Sequence, residues 1–405
     1  MTTMPLGLPQ LATGRLFAAG GAALTAHEAA YGPRPAGWTR EGLLRELESS
    51  GLTGRGGAGF PAWRKLGSVA GGRRPVVVAN GAEGEPLSHK DAALLRHSPH
   101  LVLDGLVTVG EAVRAAELFL YTTARSLPSV EAALVERRDR VRIKLVEAPE
   151  AFITGEASAV VNALETGTAL PKDKPARLGA SGYQGRPTLL HNVETLAQIA
   201  LVARYGADWF RSEGTTDDPG SRLFSLSGDV PAETVLEAPG GATLREVLAE
   251  GGVDPAFVRA VLVGGFHGAW VPPEGFDLPL TVRGLAAFGA APGPGVLMVL
   301  ARERCGLESS ASVTRYLAAS SARQCGPCMF GLPAMAGVLE RIAAGERTPW
   351  LAAEAERLAG LVTGRGACHH PDGSARFVRS SLTVFRDEVL AHLDGTCSAH
   401  GGQPR

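Results

Sequence analysis

With 405 residues, 45% of them hydrophobic and 20% charged, the chain has an ordinary globular composition and is long enough for two or three domains. Its 40 basic and 41 acidic residues leave a formal charge of −1, which excludes recruitment of nucleic acid or of an anionic membrane by a global field. The longest apolar stretches, such as Val296–Ala301, are too short for direct membrane insertion, and the N-terminus lacks the apolar segment of a secretory signal, so a cytoplasmic protein is expected.

Residues 1–40, rich in Ala, Gly and Pro, read as an irregular N-terminal arm. From 41 to 215, β-rich runs at 74–79, 118–122 and 141–147 alternate with helical stretches, among them 97–113, which argues for an α/β layered domain. In the unit 216–295, two strand-like runs (223–227 and 234–236) flank a turn. A helix headed by the capping-box pair Thr243 and Glu246 follows, then a strand at 260–263 ending in Gly264–Gly265. This order fits a small β-grasp module. The unit 296–405 reads as a helical bundle. One apolar stripe runs through Leu332, Met335, Val338, Leu339 and Ile342, and a second through Val378, Leu382, Phe385, Val389 and Leu393.

Two segments carry binding chemistry. In Gly54-Arg55-Gly56-Gly57-Ala58-Gly59-Phe60-Pro61, clustered glycines let backbone N–H groups converge on an anion, while Arg55 and the following Lys65 offer neutralising charge. A helix is expected beyond Pro61. The spacing matches neither common phosphate-loop pattern, and a plain glycine-rich turn reads equally well. The second segment is a buried strand opening into the acidic loop Asn80-Gly81-Ala82-Glu83-Gly84-Glu85-Pro86. Here Asn80 suits a ring edge and Glu83 and Glu85 suit hydroxyl groups; a solvated acidic turn is the alternative. Five cysteines, at 305, 325, 328, 368 and 397, all fall in the last quarter. An odd, clustered set points to a metal site or to unpaired thiols rather than a disulfide framework.

The glycine loop, N-x-x-E-G-E-P, Phe152-Ile153-Thr154-Gly155-Glu156, Lys174-Pro175 and His191-Asn192-Val193-Glu194-Thr195 follow one another in that order. Together they resemble the FMN- and NADH-binding flavoprotein subunit of respiratory complex I, a family also found in NAD-reducing hydrogenases and formate dehydrogenases. The resemblance covers residues 41–395. It implies a Rossmann-like FMN domain, an SLBB-type β-grasp domain and a helical [4Fe–4S] domain. It also implies hydride transfer from NADH to FMN, with no side chain acting as acid or base, and single electrons passed onward to a separate iron–sulfur or ferredoxin-like partner. Carried over by position, Gly54, Arg55, Gly56, Gly57, Gly59 and Lys65 cradle the FMN phosphate side, and Asn80, Glu83, Gly155, Glu156 and Asn192, next to His191, line the flavin. Phe60, Glu85 and Lys174 face the nicotinamide nucleotide. Three of the chain's five lysines (65, 90 and 174) fall on family lysine positions.

The chain departs from the family at Ala82, Phe152 and Ala157. Arg177, and Gly67 and Ser68, stand where the family has aromatic residues. If each lost stacking contact is worth ~1–3 kcal/mol, NADH binding weakens by about one to four orders unless Arg177 compensates. Cys325, Cys328 and Cys368 match three cluster ligands, but Ala322 occupies the place of the first. A cluster with Cys305, His369 or His370 as fourth ligand, a cluster with one open iron, a vestigial site and a zinc site are the alternatives. Cys397 reads as a free thiol, and His97, His100 and His392 as helix residues without a role. Loss of NADH in favour of a ferredoxin donor, or a cofactor-free scaffold, are the competing functions.

Overall fold

In the computed structural model the described residues are 14–69, 74–137, 139, 142–172 and 176–400. The chain opens with helices α1 (Leu24–Tyr31), α2 (Arg40–Ser50) and α3 (Ala62–Gly67), then β1 (Val76–Gly81), α4 (Lys90–His97), α5 (Pro99–Ala112), β2 (Glu117–Thr123), α6 (Leu127–Glu136), β3 (Ile143–Ala148), α7 (Ala157–Thr166), β4 (Thr188–Asn192) and α8 (Val193–Arg211). The strands form a parallel sheet of order β3-β2-β1-β4. Val76–Val78 and the middle of β2 are buried without alternation, as expected for strands covered on both faces.

One expectation changes here: the described part of the N-terminal arm, 14–40, is not irregular throughout. Leu24–Tyr31, with five of its eight residues good helix formers, makes α1, and Leu16, Phe17 and Tyr31 enter the main core. The stretch 97–113 does form one helix, α5, which starts at Pro99 because proline disfavours helical backbone at Ser98 (φ −138°), where α4 ends.

α5 packs against α8 at Gly105, where an added Cβ would lie 1.9 Å from the Leu196 carbonyl oxygen. Gly105→Ala gains about 1 kcal/mol of helix propensity but forces the helices apart, at a cost of ~1–3 kcal/mol or more. A net loss of stability is expected, read as a lower urea midpoint.

The second sheet comprises β5 (Ser221–Gly228), β6 (Thr234–Pro239), β7 (Val258–Val263), β8 (Ala269–Val271) and β9 (Val296–Ala301), with helix α9 (Leu244–Glu250) headed by the Thr243–Glu246 capping box. Its order is β6-β5-β9-β7-β8. The boundary expected at 295 therefore falls one strand too early: β9 is the strand that joins β5 to β7, and the sheet runs to Ala301. Helices α10 (Gly306–Ala319), α11 (Leu332–Ala343), α12 (Leu351–Val362), α13 (His370–Val384) and α14 (Arg386–Leu393) complete the chain. Both apolar stripes, apart from Leu393, line their core, which also takes Phe266 and Trp270 from the second sheet. Among the described residues, no helix is long and apolar enough to cross a membrane.

Candidate functional site

In the first sheet the chain leaves β1 toward β2 on one side, while β4 arrives on the other. A crevice opens at such a switch point beyond the carboxyl ends of the strands, where α/β folds bind ligands. Asn80 and Asn192 lie opposite each other there. Asn192 caps α8 by accepting from the Glu194 amide (3.0 Å) and donates to Asp91 Oδ2 (2.6 Å). Asn80 donates to the Gly155 carbonyl (3.0 Å) and accepts from the Ala82 amide (3.2 Å). A Cβ on Gly155 would come within 2.9 Å of the Ala82 carbonyl oxygen, so this approach needs glycine.

The glycine loop closes on itself through the Gly54 amide and the Phe60 carbonyl (2.9 Å). Gly57 (φ 112°) and Gly59 (φ 60°) take conformations costly for other residues. The loop lies against the crevice: a Cβ on Gly56 would be 3.0 Å from Asn192 Cβ. Phe60 is 49% exposed. A helix does begin after Pro61, but α3 spans six residues and adds little dipole.

Arg55 corrects an expectation. Its backbone belongs to the loop, but its guanidinium is fully buried, paired with Asp218 (3.2 Å) and bonded to the Pro219 carbonyl (3.2 Å). It ties the first domain to the stretch leading into the second sheet and is not available to a phosphate. Lys65 remains as the cation. It has no ion-pair partner among the described residues, and burial lowers its ammonium to about 8. The buried His191 ring carries an Nε2 without a hydrogen-bond partner. Burial, reinforced by Lys65, holds His191 far below the ordinary imidazole range, so it is neutral.

The three acidic residues divide. Glu83 accepts from the Asp91 and Ala92 amides (2.8 and 2.9 Å) and from Ser88 Oγ (2.7 Å), which makes it a cap of α4. Glu156 accepts from the Ser158 and Ala159 amides (2.8 and 3.1 Å) and caps α7. Both shape the crevice, and Glu83 does so in place of the unspent hydroxyl acceptor expected of it. Glu85 differs: Oε2 accepts from the Phe266 amide (3.1 Å), while Oε1 is buried without a partner. Burial, only partly offset by that amide, pushes its carboxyl up to about 8, so it is protonated at neutral pH. Gly265 is required beneath it, since a Cβ there would meet Glu85 Oε2 at 2.6 Å.

An acid with a raised folded-state pKa contributes stability that is present below its unfolded value near 4.5 and is lost as pH rises through about 8. The melting temperature of the protein without added flavin should therefore fall between pH 5 and pH 9, and Glu85→Gln should flatten that slope. An unchanged slope in the variant would place the loss elsewhere.

Lys174 lies outside the described residues. Arg177 is exposed on a loop whose Gly179 abuts Ser68: a Cβ on Gly179 would lie 2.5 Å from Ser68 Oγ. The two places where aromatic rings were expected thus belong to neighbouring segments, and neither carries a ring. Phe152 instead stacks on Phe266 (6.5 Å, 16°) and meets His267 and His370 edge-on. Sequence reasoning missed this aromatic wall, because nothing local joins residues so far apart.

Cys325 and Cys328 precede α11, and Cys368 precedes α13. Burial and the neighbouring Cys325 and Cys368 push the Cys328 thiol up to about 12. Burial would raise Cys325 as well, but the amides of Cys328 and Ala367 and the Cys328 side chain outweigh it and bring it below the ordinary thiol range. Cys325 and Cys368 thus both act on the Cys328 thiol, which places the three cysteines in one neighbourhood, as the ligands of an iron–sulfur cluster require. Two of the expected fourth ligands are ruled out. Cys305 sits at the opposite end of the 14-residue α10, about 20 Å away by helical rise. His370 spends one ring nitrogen on His267 (3.0 Å) and the other on the Leu317 carbonyl (2.9 Å). His369 points outward, with its side chain 96% exposed.

The residues present fit an FMN: a glycine loop laid against the crevice, an ammonium without an ion-pair partner among the described residues, a buried unpartnered imidazole nitrogen and two amide side chains at a switch point. It fits three of the four protein ligands of a cluster. Residues 47–201 match the family model described as the Nuo51 FMN-binding domain, and residues 308–392 that of the NADH-ubiquinone oxidoreductase-F iron-sulfur binding region. The NADH-quinone oxidoreductase F subunit 2 of Rhizobium meliloti (strain 1021) is 30% identical over 88% of this chain and 90% of its own length. The NADP-reducing hydrogenase subunit HndC of Solidesulfovibrio fructosivorans is 28% identical over 87% of this chain and 76% of its own. A crystal structure of NAD+-reducing [NiFe]-hydrogenase in the H2-reduced state superposes with TM-score 0.79 and 30% identity over 87% of this chain; the chain spans 63% of the length of the matched hydrogenase chain.

Fold and site together define a flavin-binding, iron–sulfur electron-transfer oxidoreductase. The chain belongs to the family of NADH-quinone oxidoreductase F subunits.

Proposed function

We propose that this protein accepts a hydride from NADH at an FMN held in the β1–β4 crevice, and passes electrons singly through an iron–sulfur cluster at Cys325, Cys328 and Cys368 to a partner iron–sulfur protein in the cytoplasm. The observation that carries the reading is the Lys65 ammonium, without an ion-pair partner among the described residues, next to the unpartnered Nε2 of His191. Buried groups of this kind are retained at a cost unless a ligand satisfies them. When bound, FMN supplies the conversion between two-electron and one-electron chemistry, and the protein orients and tunes it.

In this reading the amides of Gly56–Gly59 and Lys65 hold the phosphate, and Asn80 and Asn192 fix the ring edge. Gly155 allows close approach. Glu83 and Glu156 act one step back, by holding the helices that carry those groups. Protonated Glu85 donates a hydrogen bond toward the nucleotide, and Phe60 and Lys174 face its nicotinamide and phosphates. The names of the relatives, subunits of oxidoreductases and hydrogenases, support a partner that accepts the electrons. The two changed aromatic positions, Arg177 and Ser68, favour a second reading in which a ferredoxin-like donor replaces NADH.

An anaerobic absorbance titration of the FMN-loaded protein decides between them. The flavin band should bleach at near-stoichiometric NADH. A flavin that stays oxidised with excess NADH but bleaches with reduced ferredoxin would establish the second reading instead.

A further inference from the structure

Apart from Cys325, Cys328 and Cys368, a second group of ligand-bearing side chains is buried in the helical bundle. Cys305 heads α10, Glu388 and His392 stand one turn apart on α14, and Cys397 follows that helix. The four residues are 4%, 3%, 1% and 0% exposed, and one ligand atom from each lies within 4.8 Å of every other. The cysteine considered as a fourth cluster ligand, the one read as a free thiol and the histidine given no role are therefore neighbours.

From this geometry we propose a structural zinc site with the ligands Cys305 Sγ, Glu388 Oε1, His392 Nε2 and Cys397 Sγ, separate from the iron–sulfur region. Tetrahedral zinc with bonds of about 2.0–2.3 Å requires ligand–ligand edges of roughly 3.3–3.8 Å. Cys305 Sγ to His392 Nε2 is 3.6 Å, Cys397 Sγ to Glu388 Oε1 is 3.5 Å, and His392 Nε2 to Glu388 Oε1 is 4.0 Å.

The surrounding groups prepare these atoms for a metal. His392 Nδ1 donates to the Ile342 carbonyl (2.9 Å), which leaves Nε2 unprotonated and directed at the sulfurs. Such an outer hydrogen bond fixes the tautomer of metal-bound histidines. The Glu308 amide donates to Cys305 Sγ (3.5 Å). Arg259 holds the other Glu388 oxygen at 2.8 Å, which leaves Oε1 for the ion. Binding replaces the two thiol protons, which leave to solvent. The divalent ion, two thiolates, the carboxylate and the Arg259 guanidinium then sum to zero charge, so the buried site is electrically balanced. The ligands come from three segments, and the ion would fasten the C-terminal stretch to the start of α10 and, through Arg259, to the second sheet.

Full-length protein purified without chelator should contain one zinc per chain. Zinc K-edge X-ray absorption should give two sulfur neighbours at about 2.3 Å and two nitrogen or oxygen neighbours at about 2.0 Å. Zinc should persist in a Cys325→Ser/Cys328→Ser/Cys368→Ser variant and be lost at least tenfold in Cys397→Ser. Cobalt(II) added to zinc-depleted protein should give the intense visible bands of a tetrahedral thiolate site, with a weakened sulfur-to-cobalt band in Cys397→Ser. No bound zinc together with no such cobalt spectrum would overturn the proposal. So would three sulfur neighbours, or zinc that departs with Cys325, Cys328 and Cys368.

Discussion

Lys90→Met is expected to destabilise the protein by about 3–5 kcal/mol, the cost of removing one partner from a buried charge network. The Lys90 ammonium is fully buried, 2.6 Å from Asp91 Oδ1 and 2.8 Å from Glu194 Oε2, and both carboxylates are buried with it. Burial alone would lower Lys90, but Asp91 and Glu194 outweigh it and keep the group charged. Burial pushes Asp91 up to about 7 even with the lysine in place. Without the lysine, two carboxylates face each other unneutralised. Glu194 also accepts from the Leu223 amide (2.9 Å), and Asp91 from Asn192, so the damage reaches both the second sheet and the crevice. Denaturant unfolding should show a lower midpoint. Lys90→Met/Glu194→Gln should be less damaging than the two separate losses combined, since it leaves one buried charge fewer. A midpoint unchanged in Lys90→Met would show that the network contributes nothing.

Lys65→Met should behave in the opposite way. Its ammonium has no ionic partner among the described residues, so the variant without flavin is expected to be as stable as the parent or more so. FMN affinity should fall about 10–100-fold, the worth of one hydrogen bond to a charged group. Fluorescence quenching of FMN gives the affinity, and a thermal melt of the flavin-free protein gives the stability. Loss of both together would mean that Lys65 supports the fold and not the ligand. His191 should titrate closer to its ordinary range in the variant, because Lys65 is one of the two causes holding it down.

Much of this molecule was legible in the sequence where the signal is local. The runs at 74–79 and 118–122 announced strands, Thr243 and Glu246 a capped helix, and the two apolar stripes a bundle. The ordered motifs led to the correct family. What remained hidden depends on contacts between distant residues. Arg55 stands in the middle of the most suggestive segment, yet its side chain answers to Asp218, 163 residues away. Glu83 and Glu156 share a motif with the site, but the helix starts they cap spend their oxygens. Val296–Ala301 could be placed in the second sheet only through its pairing with β5 and β7, and Cys305 and Cys397 share surroundings only because α10 and α14 bring their ends together.

The seam between the first domain and the second sheet has a consequence of its own. Glu85 reaches across to Phe266 and Gly265, Arg55 to Asp218 and Pro219, and Glu194 to Leu223. All three cross-links begin in segments that also border the flavin crevice. Any free energy that flavin binding spends on ordering these segments is therefore shared with domain docking, and by reciprocity a tighter seam raises flavin affinity. The cofactor acts here as a fastener as well as a reagent. Its departure should leave the linker around Asp218 open to limited proteolysis well before either domain unfolds.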